Sequence, residues 1–335
     1  MAKISFRQAL NDALRLEMAR DPRVIMMGED LTGGAGGNGV KDAWGGAFGV
    51  TRGLLGEFGP ERIRDTPISE TAFIGAAAGA ALTGMRPVAE LMFVDFAGVC
   101  LDQIVNQIAK FRYMFGGRAR TPLVIRATYG AGTRSAAQHT QAFYPIFTHF
   151  PGLKVVIPSN PYDAKGLLLQ AMRDDDPVIF LENKMLYDTM GEVPDGSYTV
   201  PFGEAKVVRD GKDVMIVAIG RMVKIAEEAA RKLQADGISA CVIDPRTTSP
   251  LDEDTLIEFA EEIGRVVIVD EATPRCGMAA DISAMLADKC FDSLRAPIKM
   301  VTAPHTPVPY APNLEDLYVP NADAVIKAVK SIIER

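Results

Sequence analysis

Short apolar runs alternate with helix-length amphipathic stretches along all 335 residues of this chain. That alternation confines it to parallel sheets covered by helices on both faces. V-I-M-M-G at 24–28, P-V-A-E-L-M-F at 87–93, P-L-V-I-R at 122–126, L-K-V-V-I-P at 153–158 and P-V-I-F-L at 177–181 have the length and β-branching of buried strands. Helices are expected from Phe6, capped by Ser5, and over 97–115 and 161–173. From 188 to 203 the run D-T-M-G-E-V-P-D-G-S-Y-T-V-P-F-G is rich in turn formers and has no period, which marks a linker. Strands at 213–220, 238–244, 265–270 and 298–301 follow, separated by helices and closed by a helix from Asn321. The expectation is an α/β protein with a doubly wound parallel-sheet domain over 1–187, a linker over 188–203 and a smaller α/β domain over 204–335.

Composition narrows the function classes. With 36 basic against 43 acidic residues, a net charge of −7 and no long basic run, nucleic acid is a poor partner. Cys100, Cys241, Cys276 and Cys290 are far apart and form no C-x-x-C pair, which argues against a zinc ribbon or a disulfide framework and for a reducing cytoplasm. No apolar run approaches the roughly 18 residues of a membrane span. The first residues, M-A-K-I-S-F-R-Q-A-L, have neither an apolar signal core nor a transit composition.

Within the first domain, D-T-P-I-S-E at 65–70 sets one carboxylate, Glu70, between a strand-ending proline and a helix of very small residues. Pro67 lacks a backbone donor and has a fixed φ, so it stiffens the turn that leads to Glu70. T-A-F-I-G-A-A-A-G-A-A-L-T-G follows, with Gly75 and Gly79 four apart on a helix that lets another backbone approach, either a partner or a neighbour in the same domain. Burial would raise the Glu70 pKa and the helix dipole would lower it, so the position suits tuned acid–base chemistry. On the local pattern alone, the plainer reading of Glu70 is part of a helix cap behind Ser69.

Other motifs carry less. G-G-A-G-G-N-G at 33–39 contains a formal G-x-G-x-x-G, but the following V-K-D-A-W-G-G-A-F-G is too broken by glycine to form the helix a dinucleotide needs. The stretch reads instead as a mobile loop around Trp44. His139 lies in S-A-A-Q-H-T-Q, a loop after a strand end where such folds place ligands, or a wall position satisfied by neighbouring amides. His149, among aromatics, reads as structural.

Six blocks together resemble a known family. D-T-P-I-S-E, R-P-V-A-E-L-M-F at 86–93, D-Q-I-V-N-Q-I-A-K-F-R-Y at 102–113, A-A-Q-H-T-Q at 136–141, P-G-L-K-V-V-I-P-S-N-P-Y-D-A-K-G at 151–166 and D-P-R-T-T-S-P-L-D at 244–252 are similar to the beta subunit of thiamine-diphosphate-dependent 2-oxoacid dehydrogenase complexes. The resemblance spans nearly the whole chain in order. It implies a pyrimidine-binding domain followed by a transketolase-type carboxy-terminal domain. It implies that Glu70 hydrogen-bonds the aminopyrimidine ring of thiamine diphosphate, so that the neighbouring imine takes the thiazolium proton and leaves the ylid. Ile68, Met92 and Phe96 fall at positions that line the pyrimidine pocket, and His139 at a position near the reacting carbon. Leu123, Ala171, Met172, Asp174 and Asp176 fall where relatives hold a structural potassium ion, although Asp176 stands where some have asparagine and D-D-D at 174–176 also reads as a solvated acidic turn.

No G-D-G motif for magnesium and diphosphate occurs. The resemblance therefore implies half a site, with magnesium and diphosphate held by an alpha subunit in an assembly of two alpha and two beta chains. The long segment between Glu29 and Arg52, with T-A-F-I-G-A-A-A-G and F-R-Y-M-F-G-G, is most similar to the acetoin dehydrogenase beta subunit. That implies cleavage of acetoin and transfer of its two-carbon unit to the lipoyl arm of an acyltransferase. Pyruvate or branched-chain 2-oxoacid decarboxylation are the alternatives, and a non-catalytic assembly subunit is a remote one.

Overall fold

The computed structural model describes residues 1–32 and 45–333; residues 33–44, with Trp44 and most of the glycine-rich loop, lie outside the described residues. The chain divides into two compact units, Met1–Tyr129 with Ile146–Phe202, and Gly130–Pro145 with Gly203–Arg335.

Among the described residues, the first unit carries strands β1 (Ala2–Ser5), β2 (Val24–Gly28), β3 (Ile63–Asp65), β4 (Arg86–Phe93), β5 (Val124–Tyr129), β6 (Lys154–Val156), β7 (Val178–Asn183) and β8 (Met190–Val193). β6-β7-β5-β4-β2-β3 lie side by side and parallel. Their residues are apolar on both faces because helices cover both. On one face the helix Phe6–Arg20 starts where the Ser5 hydroxyl accepts from Gln8 N at 3.1 Å. It buries Phe6, Leu10, Leu14 and Met18 in a core shared with Leu167, Leu168 and Met172 of the helix Pro161–Arg173. Each such side chain contributes about 1.5–3 kcal/mol by leaving water. Asn160 caps the second helix, accepting from Asp163 N at 2.9 Å, and Pro161 takes the first helical position, where no donor is needed.

Two segments depart from expectation. The single helix expected over 97–115 is three pieces: α-helical Ala97–Asp102 with Cys100 at φ −112°, π-helical Gln103–Ile108, and α-helical Phe111–Met114. Part of the expected linker is a strand, since β8 pairs antiparallel with β1 from Ala2↔Val193 to Ser5↔Met190.

The strand order reverses at β2. From it the chain passes to β3 on one side and then to β4 on the other, so the topological switch point, where folds of this type bind ligands, lies at the carboxyl ends of β2 and β4. Gly28 ends β2 there, and a Cβ at this position would stand 2.8 Å from the Glu90 carbonyl oxygen.

The second unit carries, among the described residues, β9 (Lys206–Arg209), β10 (Val214–Ala218), β11 (Ala240–Asp244), β12 (Thr247–Ser249), β13 (Val266–Asp270) and β14 (Lys299–Thr302). The sheet order is β14-β13-β10-β11-β9, parallel except for β9. The helices Met222–Ala235 and Ala322–Ile333 share one core with Val214, Ile216, Val242 and Val267. The segment Gly130–Pro145 leaves β5 of the first unit yet packs within the second. Among the described residues no helix is long and apolar enough to cross a membrane.

Candidate active site

Asp65 closes β3, and the turn after it is tied down at both ends. Asp65 accepts from Thr32 N at 2.8 Å and from the Thr32 hydroxyl, while Thr66 N donates to Gly28 O at 2.9 Å. Glu70 is therefore carried to the carboxyl end of the β2/β3 pair as the first residue of the helix Glu70–Leu82. It is 9% exposed. Ser69 precedes the helix, but its side chain makes no cap hydrogen bond. Among the described residues, no group donates to the Glu70 carboxylate. Glu70 stands in the first turn of its helix, where the dipole favours a carboxylate, and its acceptor capacity is not used by the protein.

The surroundings are acidic and apolar. Glu29, next after β2, has its pKa raised by burial first and then by the charges of Asp30 and Glu70. Burial, with the Glu70 charge added, pushes the Cys100 thiol up to about 12. Ile68 is 77% exposed, although it is large and apolar. At the end of β4, Met92 and Phe96 are half-buried, and Phe93 and Phe96 meet edge-on at 5.5 Å. The Glu70 helix packs on β4 and on Ala97–Asp102, so these groups share one end of the first unit.

Sequence reasoning missed the charged groups beneath. Arg126 on β5 donates from Nε and Nη2 to Glu182 on β7 at 2.7 and 2.9 Å, and from Nη1 to Glu90 on β4 at 2.6 Å. The Tyr187 hydroxyl donates to Glu182 at 2.7 Å. Burial opposes the Arg126 charge, but Glu182 and Glu90 outweigh it and hold its pKa above the ordinary range. Glu90 receives only one of the bonds, and burial raises its pKa. The signal was present: Glu29, Glu90, Arg126 and Glu182 each interrupt or close an apolar strand run, where an unneeded charge is costly.

His139 is half-buried on the Gly130–Pro145 segment of the second unit, apart from the groups above in the division of the chain. The five residues of the potassium expectation do come together at the end of the helix Pro161–Arg173 and the adjoining strand starts, and their oxygens already have donors. Leu123 O accepts from Val178 N, Ala171 O from Asp174 N and Met172 O from Arg86 Nε. Lys154 pairs with Asp174 at 2.6 Å and Arg112 pairs with Asp176. Gly75 faces the Gln103 side chain of its own domain, whereas Gly79 faces open space.

Residues 2–190 match the family model for the transketolase pyrimidine-binding domain, and residues 203–325 match that for the transketolase carboxy-terminal domain. The chain belongs to the transketolase family. It is 60% identical to the acetoin:2,6-dichlorophenolindophenol oxidoreductase subunit beta of Cupriavidus necator, over 99% of this chain and 98% of the relative. The same subunit of Bacillus subtilis is 54% identical over 98% and 97%. The pyruvate dehydrogenase E1 component subunit beta of Rickettsia felis is more distant, at 46% over 98% of both. A split-gene transketolase, described as an inactive beta4 tetramer, superposes with a TM-score of 0.77 at 25% identity over 99% of both chains. This transketolase-family chain thus has beta subunits of oxidoreductases as relatives over its whole length.

Proposed function

We propose that this chain is the beta half of a thiamine-diphosphate-dependent oxidoreductase acting on acetoin. The observation that carries the reading is Glu70, a nearly buried carboxylate with no donor among the described residues, at the topological switch of a transketolase pyrimidine domain. A carboxylate with unused acceptor capacity beside apolar surface fits an aminopyrimidine ring: Glu70 would accept from the ring nitrogen, and Ile68, Met92 and Phe96 would flank its faces. When bound, the cofactor supplies a nucleophilic carbon that attacks a carbonyl carbon of the substrate. Glu70 would hold a proton at the ring nitrogen, since a carboxylic group, unlike an amide, can both take and give it. His139 would donate or accept a proton at the substrate oxygen.

The diphosphate half does not suit this end of the chain. Glu29, Asp30 and Glu70 stand close to one another near the end of β2, and like charges would repel a diphosphate. Diphosphate and magnesium are therefore assigned to an alpha subunit, in a complex of two alpha and two beta chains. The exposed apolar Ile68, Val99, Tyr113, Met114 and Phe115 give such a partner a surface to cover. The acetoin-derived acetyl unit would pass to a lipoyl acyltransferase, in a cytoplasm whose reducing poise suits four free cysteines. Potassium has weaker support: carbonyls keep a second lone pair, but Arg86, Arg112, Arg120 and Lys154 already face the three aspartates.

The test mixes purified chain with its alpha subunit, thiamine diphosphate and magnesium, and follows dye reduction with acetoin, pyruvate and branched 2-oxoacids. Acetoin is expected to give the highest kcat/KM. Preference for pyruvate would overturn the substrate assignment, and turnover by the chain alone would overturn the half-site.

A further inference from the structure

Five to seven residues before His139, the backbone is tied to a glutamate far away in sequence. Gly132, Arg134 and Ala136 all have positive φ, at 117°, 58° and 62°. Arginine and alanine adopt that region only where surroundings impose it. At Arg134 the imposing group is Glu315, 0% exposed on the short helix Pro312–Tyr318. Its Oε1 accepts from Gly132 N at 2.7 Å, and its Oε2 accepts from Arg134 N at 3.2 Å and Arg134 Nη1 at 2.7 Å. Arg134 is held in turn by Pro312 O at 2.9 Å and Asp316 at 2.6 Å.

The start of the same segment is pinned as firmly. Ala131 N donates to Glu271 at 2.7 Å, Ala131 O accepts from Arg221 Nη1 at 3.0 Å, and the Tyr144 hydroxyl at its far end donates to buried Asp270. All of these groups belong to the second unit. A carboxylate is required at 315 because every neighbour facing it is a donor; an amide would turn its own N–H groups toward the Arg134 donors.

We propose that Glu315, with Arg134 as its counter-charge, is a positioning residue that sets the backbone leading to His139. Turnover then depends on Glu315 and Arg134 through the backbone of the segment that carries His139. This rests on the reading of His139 as a group that acts on substrate.

The experiment uses the assembled alpha–beta enzyme with thiamine diphosphate, magnesium and acetoin, and compares Glu315→Gln, Arg134→Ala, His139→Ala and the double variant His139→Ala/Glu315→Gln. Arg134 is 35% exposed in its side chain, so Arg134→Ala carries the test should Glu315→Gln fail to fold. Each single variant at 315 or 134 is expected to lower kcat about 10- to 100-fold, as misplacement of a reacting group does, with KM changed by less than about threefold. Exchange of the cofactor's C2 proton, which depends on Glu70, should stay near the wild-type rate. In the His139→Ala background, Glu315→Gln should add less than about twofold. The inference is overturned if turnover survives both Glu315→Gln and Arg134→Ala, if C2 exchange falls in step with kcat, or if the two losses multiply in the double variant. Wild-type turnover in His139→Ala would remove the reading of His139 itself, and the inference with it.

Discussion

Arg126 and Glu182 form a two-pronged ion pair, at 2.7 and 2.9 Å, between neighbouring parallel strands in the interior of the first unit. Glu90 takes the third guanidinium bond from the strand on the other side. The guanidinium thus ties together β4, β5 and β7.

Removing that guanidinium should be severe. Arg126→Met would leave two buried carboxylates facing one another without a cation, and is expected to cost about 3–5 kcal/mol. Urea unfolding measures it. A loss under about 1 kcal/mol would show that the cluster contributes little to holding the strand ends together.

Gly28→Ala tests the close approach at the switch point. The added Cβ would stand 2.8 Å from Glu90 O and 3.1 Å from Glu90 Cβ, both on the neighbouring strand, so β2 and β4 must separate. A cost of about 1–3 kcal/mol is expected. Weaker thiamine diphosphate binding should accompany it in the assembled enzyme. Unchanged stability would mean that the strands are not packed as closely as described.

Acid stability should depend on Asp21. Four hydrogen bonds from Arg23, between 2.7 and 3.2 Å, hold its pKa down to about 2 from an ordinary 3.8. A depressed carboxyl stabilises the fold above the unfolded value and loses that effect as pH falls through the folded one. Asp21→Asn should therefore cost about 1 kcal/mol at pH 7, after allowance for the exposure of Arg23. The gap from wild type should close between about pH 4 and pH 2 in urea titrations. A gap independent of pH would contradict it.

Potassium should matter little to the isolated chain. The Asp174–Asp176 turn already pairs with Lys154, Arg112, Arg86 and Arg120, so melting temperatures in potassium and choline chloride at equal ionic strength should agree within about 1 °C. A larger rise in potassium alone would restore the turn as a cation site.

The periodic parts of this fold were legible from sequence. Pro161–Arg173 forms where Asn160, Pro161 and the apolar spacing place it, and β2 and β4 fall on their apolar runs. The segment 97–114 was not, because its π-helical turn, Gln103–Ile108, arises inside a stretch of helical apolar spacing with no Gly or Pro of its own. β8 was hidden for a different reason: its partner β1 lies almost 190 residues earlier, and M-G-E-V has no period of its own. At the site, the local frame of Glu70, a proline and a small-residue helix, marked a helix start, and Glu70 is the first residue of the helix Glu70–Leu82. Its catalytic reading came from the resemblance of the six blocks together. The setting of the His139 segment was not legible, since it depends on Glu271 and Glu315, more than 130 residues away.

The central claim is that Glu70 activates the cofactor in a site that a second chain completes. The most direct measurement is the rate of hydrogen–deuterium exchange at C2 of thiamine diphosphate, read by NMR in the assembled enzyme with wild-type chain and with Glu70→Gln. The account predicts a folded, assembled variant whose exchange is slower by about 10²- to 10⁴-fold, the contribution usual for a placed acid–base group. Exchange at the wild-type rate would contradict it.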